Sequence, residues 1–506
     1  MLTEMRERVL GLLEAKGLWQ YTWLRPPFRI VFQSMRLGAR AFGRSRDAAK
    51  AVARPVRQAW WRLLGRARSA RLRLANASQA WAQTPALVRA LAGAGHRASG
   101  RLKRHVVMLV VSDVRVDPRV QKAAVAAAAR GFRVTVVAPS HALAMPAPRT
   151  PDWGPGIEFA FPPIRSWALL NHHYPWLVDR DLLAFARRYR NVVFHGHDLN
   201  TAFMSLQLAR ETGSACIADF HEWFSENVEW STRANAYVRN RWLKRTVMRR
   251  AERLCLLHAD AVITVCDSIA RELQQMQPRA DGIHVVRNIP DTRPDGGSPL
   301  AGTLRAQAGA SAGDFLLLWQ GGVGPSRLLE PVIESLAHAP GVMLAIRGPG
   351  LDDGSAIRAH YEQVAHAVGV LDRLRLLPPV PSRDVVAAAT GADAGVWTLP
   401  NLSKNFYYAL PNKIFEYLAA GLPVIVADFP EAAGLVRRYD VGLAFDPYSP
   451  RSIAAAILRL KDDPSARRRM ADNTGPALAD MDAAREWARV ADLYEALHGG
   501  AGKATA

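Results

Sequence analysis

"HVVMLVVSDVRVDPRVQKAAVAAAARGFRVTVVAPS", His105 to Ser140, holds three short elements in a fixed order. "HVVMLVVS" is too uniformly apolar for a strand wetted on one face, so it reads as a strand buried on both. "PRVQKAAVAAAARG" reads as a helix, with proline at its first turn and Gly131 just past its end. "FRVTVVAPS" is the next strand, and the three together predict a βαβ unit with parallel strands. The alternation recurs in "NVVFHGHD" with "LNTAFMSLQLARETG", in "ACIADFHE", in "DAVITVCDS" with "IARELQQM", and closes with "GIHVVRN". Apolar strands separated by helices predict a parallel sheet covered on both faces.

A Pro- and Gly-rich stretch, "NIPDTRPDGGSPLAG", interrupts this rhythm and reads as a linker. Beyond it, "DFLLLWQGG", "VMLAIRGPG", "RLRLLPPV", "DAGVWTLP" and "LPVIVAD" are five further strands with helices between them. The expected class is therefore α/β, with two Rossmann-like doubly wound domains facing a cleft, at 105–290 and 303–475. Helical sequence at 476–497 is expected to pack back on the first domain. Ligands of such sheets bind beyond the carboxyl ends of the strands, which places the chemistry between the domains.

Charge is distributed unevenly along the 506 residues. Residues 1–104 hold 22 of the 66 Lys and Arg but only 4 of the 45 Asp and Glu, which accounts for +18 of the net +21. Trp19, Trp23, Trp60, Trp61 and Trp81 lie in this basic extension, which is expected to be mainly helical or partly disordered. Basic helices carrying tryptophan suit an anionic membrane surface, at about 1 kcal/mol per basic residue. A solvated tail and nucleic-acid binding are the other readings; nucleic acid is not an expected partner. The N-terminus lacks the pattern of a secretory signal, and no apolar run reaches the ~20 residues of a spanning helix. Cys216, Cys255 and Cys266 have no metal-ligand spacing and read as buried thiols of a reducing compartment. The expected location is cytoplasmic and peripheral on the inner membrane face.

In "LPNKIFEYLAAGLPVIVAD", Leu410 to Asp428, a helix over 411–420 carries Lys413 in its first turn. A cation there opposes the helix dipole by roughly 0.3–1 kcal/mol, and a bound anion would reverse the sign. Asn412 and Lys413 thus form a candidate diphosphate cradle, with Glu416 one turn on as an acceptor for ribose hydroxyls. Simple pairing of Lys413 with Glu416 on a solvated face is the competing reading.

"PNKIFEYLAAGLPVIVAD" resembles the nucleotide-sugar signature of retaining glycosyltransferases of family 4, which have the GT-B architecture. "SDVRVDPRVQKAAVAAAARGFRVTVVA", "FHGHD", "IADFHEWFSE" and "ADAVITVCDSIARELQ" resemble segments of the same family, in the same order, so the likeness spans roughly 105–497. It implies that Glu416 holds the ribose and that Arg327 in "QGGVGPSRLLEPVIESL" meets the diphosphate. Gly322 stands where the family has an arginine, and Lys413, or Arg347 beside Gly348 in "AIRGPG", is the candidate replacement. Tyr408 stands where the family has its first glutamate; Asn405, Tyr407 and Tyr408 are the nearest candidates to contact the donor sugar in its place.

The resemblance places His197 near the reacting carbon, while His195 is expected to point into the sheet. Asp198 is a candidate helix N-cap. Asp113, Arg115 and Arg119, with His221, Glu222 and Glu226, are the acceptor-side candidates. Asp179 to Asp181, "DRD", has the form of a metal–diphosphate motif but reads as acidic residues opening a helix. No metal or other cofactor is expected.

The function expected is retaining transfer of a sugar from a nucleoside diphosphate sugar to a lipid-linked or polysaccharide acceptor. Two alternatives are an isomerase or hydrolase of nucleotide sugars with the same fold and a non-catalytic nucleotide-sugar-binding scaffold.

Overall fold

The computed structural model describes residues 101–114, 117–138, 151–162, 180–231, 236–240, 242–290 and 298–500. Nearly all of the basic extension, together with Arg115, Asp179 and residues 291–297 of the linker, lies outside the described residues.

The first domain is a seven-stranded parallel sheet. Its strands are β1 (His105–Leu109), β2 (Arg133–Val137), β3 (Ile157–Ala160), β4 (Val193–His197), β5 (Ala215–Phe220), β8 (Ala261–Thr264) and β9 (His284–Val285), in the order β3-β2-β1-β4-β5-β8-β9. A separate antiparallel hairpin, β6 (Val228–Ser231) and β7 (Ala236–Arg239), follows β5. Helix α1 (Pro118–Ala129) has proline at its start and Asp117 as its side-chain cap. Helix α2 (Asp198–Thr212) follows β4 directly, and α3 (Asp267–Met276) follows β8. Gly196 lets α2 approach β4, because a Cβ there would lie 2.4 Å from the Ala202 backbone.

The second domain is a six-stranded parallel sheet: β10 (Phe315–Gln320), β11 (Val342–Arg347), β12 (Leu374–Leu377), β13 (Ala394–Trp397), β14 (Val424–Ala427) and β15 (Gly442–Phe445), in the order β12-β11-β10-β13-β14-β15. The chain reverses its direction across the sheet at β1/β4 and at β10/β13, where crevices for ligands open in such folds. A short helix α4 (Lys404–Tyr407) and then α5 (Asn412–Ala419) precede β14. All three cysteines are buried free thiols, and among the described residues no helix is long and apolar enough to cross a membrane.

The return to the first domain begins at Asp482, later than residue 476. Residues 474–481 stay with the second domain, whose core takes Ala477. Asp482 then adopts a left-handed conformation, φ 45°, and caps helix α6 (Ala483–His498). Trp487, Val490 and Tyr494 of α6 join Val120, Ala124 and Val134 in the core of the first domain. Ion pairs from Arg104 to Glu495 and from Arg287 to Glu486 flank this contact. Trp487→Ala should therefore loosen the first domain by about 3–5 kcal/mol, read as a lower midpoint in chemical unfolding followed by circular dichroism.

Candidate functional site

At the carboxyl end of β10 the chain turns through Gly321, Gly322 and Gly324. Gly321 has φ 125°, and a Cβ there would lie 2.0 Å from Lys413 Cε; a Cβ on Gly348, after β11, would lie 2.0 Å from the Gly321 carbonyl oxygen. The bare backbone of Gly321 lets the stem of Lys413 lie across the turn, with its amine 5.8 Å from the Trp319 ring centre. Arg327 reaches the same turn, its guanidinium 3.7 Å from where a Gly322 Cβ would sit. Among the described residues neither cationic side chain has a hydrogen bond or an ion pair.

Burial, then the like charge of Arg327, push Lys413 down to about 8, while Glu416 works the other way. Burial raises Glu416, against the pull of Lys413 and of Lys122 from α1 in the first domain. Both groups are half-buried. Pro411 precedes α5 without a side-chain cap, so the amides at Asn412 and Lys413 open the helix beside the two cations. A desolvated lysine beside an arginine, with open helix amides and a carboxylate one turn away, is an arrangement suited to an anion joined to a hydroxyl-bearing group.

Arg347 does not supply the missing cation. It is 1% exposed, and its guanidinium donates to Ala388 O (2.6 Å), Gln307 Oε1 (2.6 Å) and Gln320 Oε1 (3.3 Å) inside the domain. Tyr408 and Asn405 are likewise occupied. The Tyr408 hydroxyl donates to Glu272 Oε1 on α3 (2.9 Å), and Lys404 donates to both oxygens of that carboxylate (2.8 and 2.7 Å). Asn405 Oδ1 accepts from the Trp223 backbone N–H at 2.8 Å, and Glu431 accepts from Ser268 N–H at 2.6 Å. This segment is thus a lock between the domains rather than a sugar contact. Tyr407 packs against Phe429, ring centres 5.2 Å apart.

Across the cleft, β4 and β5 end in a cluster of histidines around Asp219. His195 and His197 are two residues apart and therefore share one face of the strand, so His195 does not turn away; the rings stack with centres 4.1 Å apart. Both are buried. His195 Nδ1 lies 2.6 Å from the Tyr494 hydroxyl of α6, and His197 Nδ1 lies 3.2 Å from His221 Nε2. The His197 ring is thus turned into the domain, and its carbonyl accepts from the Thr201 hydroxyl. Burial holds His197 down to about 3.

Asp198 is not an N-cap: at φ 71° it is the first residue of α2, and its Oδ1 accepts from the His221 backbone N–H at 3.2 Å. Burial raises Asp198 to about 6. Burial alone would lower His221, but the Asp198 and Asp219 carboxylates raise it to about 9.

Arg119 is not free to contact an acceptor. It is 3% exposed and donates to Asp219 Oδ2 (3.0 Å), Asp219 Oδ1 (2.6 Å) and Val286 O (2.7 Å). Glu226 is also withdrawn, its buried carboxylate accepting from Arg245 and pairing with Arg239 and Arg249. Asp113 is half-buried after β1, and Glu222 is exposed, accepting from Asn227. Sequence reasoning passed over Asp219 and Glu272. A carboxylate inside the apolar run "ACIADF" was the available signal for the first; nothing local marks Glu272 or Tyr494.

Residues 116–288 are similar to the family described as the glycosyl transferase 4-like domain, and residues 304–475 to the glycosyl transferases group 1. The chain is 29% identical over 179 residues to a D-inositol 3-phosphate glycosyltransferase of Corynebacterium diphtheriae, a match covering 35% of this chain and 40% of that protein. A protein of the same description from Nocardia farcinica is 27% identical over 297 residues, 53% of this chain and 64% of the relative. The chain thus spans only 40% and 64% of the lengths of these relatives. Sucrose-phosphate synthase from Thermosynechococcus elongatus shares the fold with a TM-score of 0.63 at 17% identity, over 78% of this chain and 100% of that one. HepE from Anabaena in complex with UDP-glucose gives 0.58 at 17% identity, over 78% and 99%.

The free Lys413 amine is charged below about 8 and neutral above it. Affinity for inorganic pyrophosphate should therefore fall as pH rises past 8, by roughly tenfold for one lost charge-assisted contact. Calorimetric titration from pH 7 to 10 checks this. Lys413→Arg should flatten the profile, whereas a flat profile in the unaltered chain would remove Lys413 from the anion.

Proposed function

Since the chain belongs to the GT-B glycosyltransferases, with a family 4-like first domain, we propose that it moves a sugar, with retention, from a nucleoside diphosphate sugar to a hydroxyl of a lipid-linked or polysaccharide acceptor. The observation that carries this reading is the pair of unpartnered cations, Arg327 and Lys413, set beside the open amides of α5. Departure of the nucleotide builds negative charge on the β-phosphate, and these groups stabilise it in a poorly solvated cleft. Glu416 accepts from the ribose. The HepE neighbour was crystallised with UDP-glucose, which supports this class of donor.

The acceptor enters from the first domain, where His221, Asp198 and Glu222 keep some exposure. With the His197 ring turned into the domain, these groups meet the acceptor hydroxyl. The basic residues 1–104 hold the enzyme against an anionic membrane on its cytoplasmic face, close to a lipid-borne acceptor.

A thermal-shift panel of nucleotide sugars identifies the donor, and D-inositol 3-phosphate is the first soluble acceptor to offer, because the curated relatives carry its name. Arg327→Ala and Lys413→Ala should each lower turnover by roughly 10²–10³-fold with unchanged circular dichroism. Wild-type rates in both would refute the assignment. Removing residues 1–100 should release the protein from anionic vesicles on sedimentation, and equal co-sedimentation would dismiss the anchor.

A further inference from the structure

After β5 the chain presents His221 and Glu222, and three alternate amides of this segment are received by side chains from three different elements. The His221 N–H donates to Asp198 Oδ1 of α2 at 3.2 Å, and the Ser225 N–H to Glu252 Oε1 of the helix Trp242–His258 at 2.8 Å. Between them, the Trp223 N–H donates to Asn405 Oδ1 of α4 at 2.8 Å. The outer two acceptors are carboxylates of the first domain. The middle one is a carboxamide of the second.

Asn405 is itself held in place. It is 8% exposed, and Ser403 caps its helix, Oγ accepting from the Phe406 N–H at 3.3 Å. On one side Lys404 pairs with Glu272 and sets its amine 5.5 Å from the Trp223 ring centre. On the other, Tyr408 and Leu410 pack against the core of the first domain, to which Trp223 belongs. Pro411 and the start of α5 follow directly.

We propose that Asn405 is a positioning residue for the acceptor: from the second domain it fixes the backbone that presents His221 and Glu222, and so completes the acceptor side only when the domains are docked. This deepens the transferase reading and rests on it. Trp223 is 2% exposed, so its amide has no ready exchange for water and must keep a protein acceptor. The peptide plane that carries the Trp223 N–H also carries the Glu222 carbonyl, so holding one holds the other. A shift of about 1 Å in such a segment is enough to cost up to roughly 10²-fold in rate. Among the described residues the Asn405 side chain makes this one hydrogen bond, to the first domain. Its loss therefore acts on the acceptor and spares the anion site at Arg327 and Lys413.

Hydrogen exchange of the full chain, followed by mass spectrometry, tests the hold directly. Asn405→Leu keeps the volume, removes the oxygen and should speed exchange in peptides spanning 221–226; Asn405→Ala, which leaves space instead of filling it, should do the same. Asn405→Asp retains an acceptor and should leave them slow. In transfer assays with the donor found by the thermal-shift panel and D-inositol 3-phosphate, Asn405→Leu should raise the acceptor KM roughly tenfold, the worth of one hydrogen bond. The donor KM and the affinity for inorganic pyrophosphate should not change, and Asn405→Asp should restore the acceptor KM. Unchanged exchange or an unchanged acceptor KM in Asn405→Leu overturns the proposal. So does an equal rise in donor KM, which would make Asn405 a general support of the domain junction. A wild-type chain that transfers to no acceptor defeats the transferase reading instead, and exchange then decides alone whether Asn405 fixes the segment.

Discussion

Two positive charges held side by side without a counter-ion are the constraint around which the second domain is arranged. Lys413 lies along the Gly321 turn because a side chain at Gly321 would exclude it, and Gly348 lets β11 approach the same turn. Its neighbour Arg327 and its own burial lower its affinity for a proton. A helix start adds further positive potential. Among the described residues nothing offsets this accumulation apart from the pull of Glu416, one turn further along α5, and such an excess of positive potential favours an anion.

The first domain treats charge in the opposite way. Arg119 and Asp219 neutralise one another in its interior, and Glu226 is covered by three arginines. Buried pairs of this kind add little net stability but define where their partners sit. Here they set the positions of β5, the hairpin and the histidines. The two domains then meet through two devices: α6, whose Trp487 and Tyr494 complete the first domain's core, and the Glu272 carboxylate, which receives both Lys404 and Tyr408. A tyrosine in place of a donor-binding carboxylate therefore serves the junction between domains.

Much of this was legible in the sequence. The βαβ rhythm, the glycine that ends α5 and the lysine at its start depend on neighbours a few residues away, and local chemistry reports them faithfully. Errors arose where a side chain's partner lay elsewhere. Arg347 and Arg119 have the residue type for phosphate binding, yet each is consumed by acceptors distant in the chain, Asp219 being 100 residues from Arg119. The placing of His195 failed for a simpler reason: residues i and i+2 of a strand share a face.

By itself the sequence determined two doubly wound α/β domains and a helix start that carries a lysine, because strand and helix periods, caps and glycines act over short range. Only the tertiary structure decided which cations stay free, that Tyr408 joins Glu272 136 residues away, and that His195 meets Tyr494 across 299 residues. Those outcomes depend on which strand ends the topology brings together, and no local pattern of residues encodes the partner at the other end.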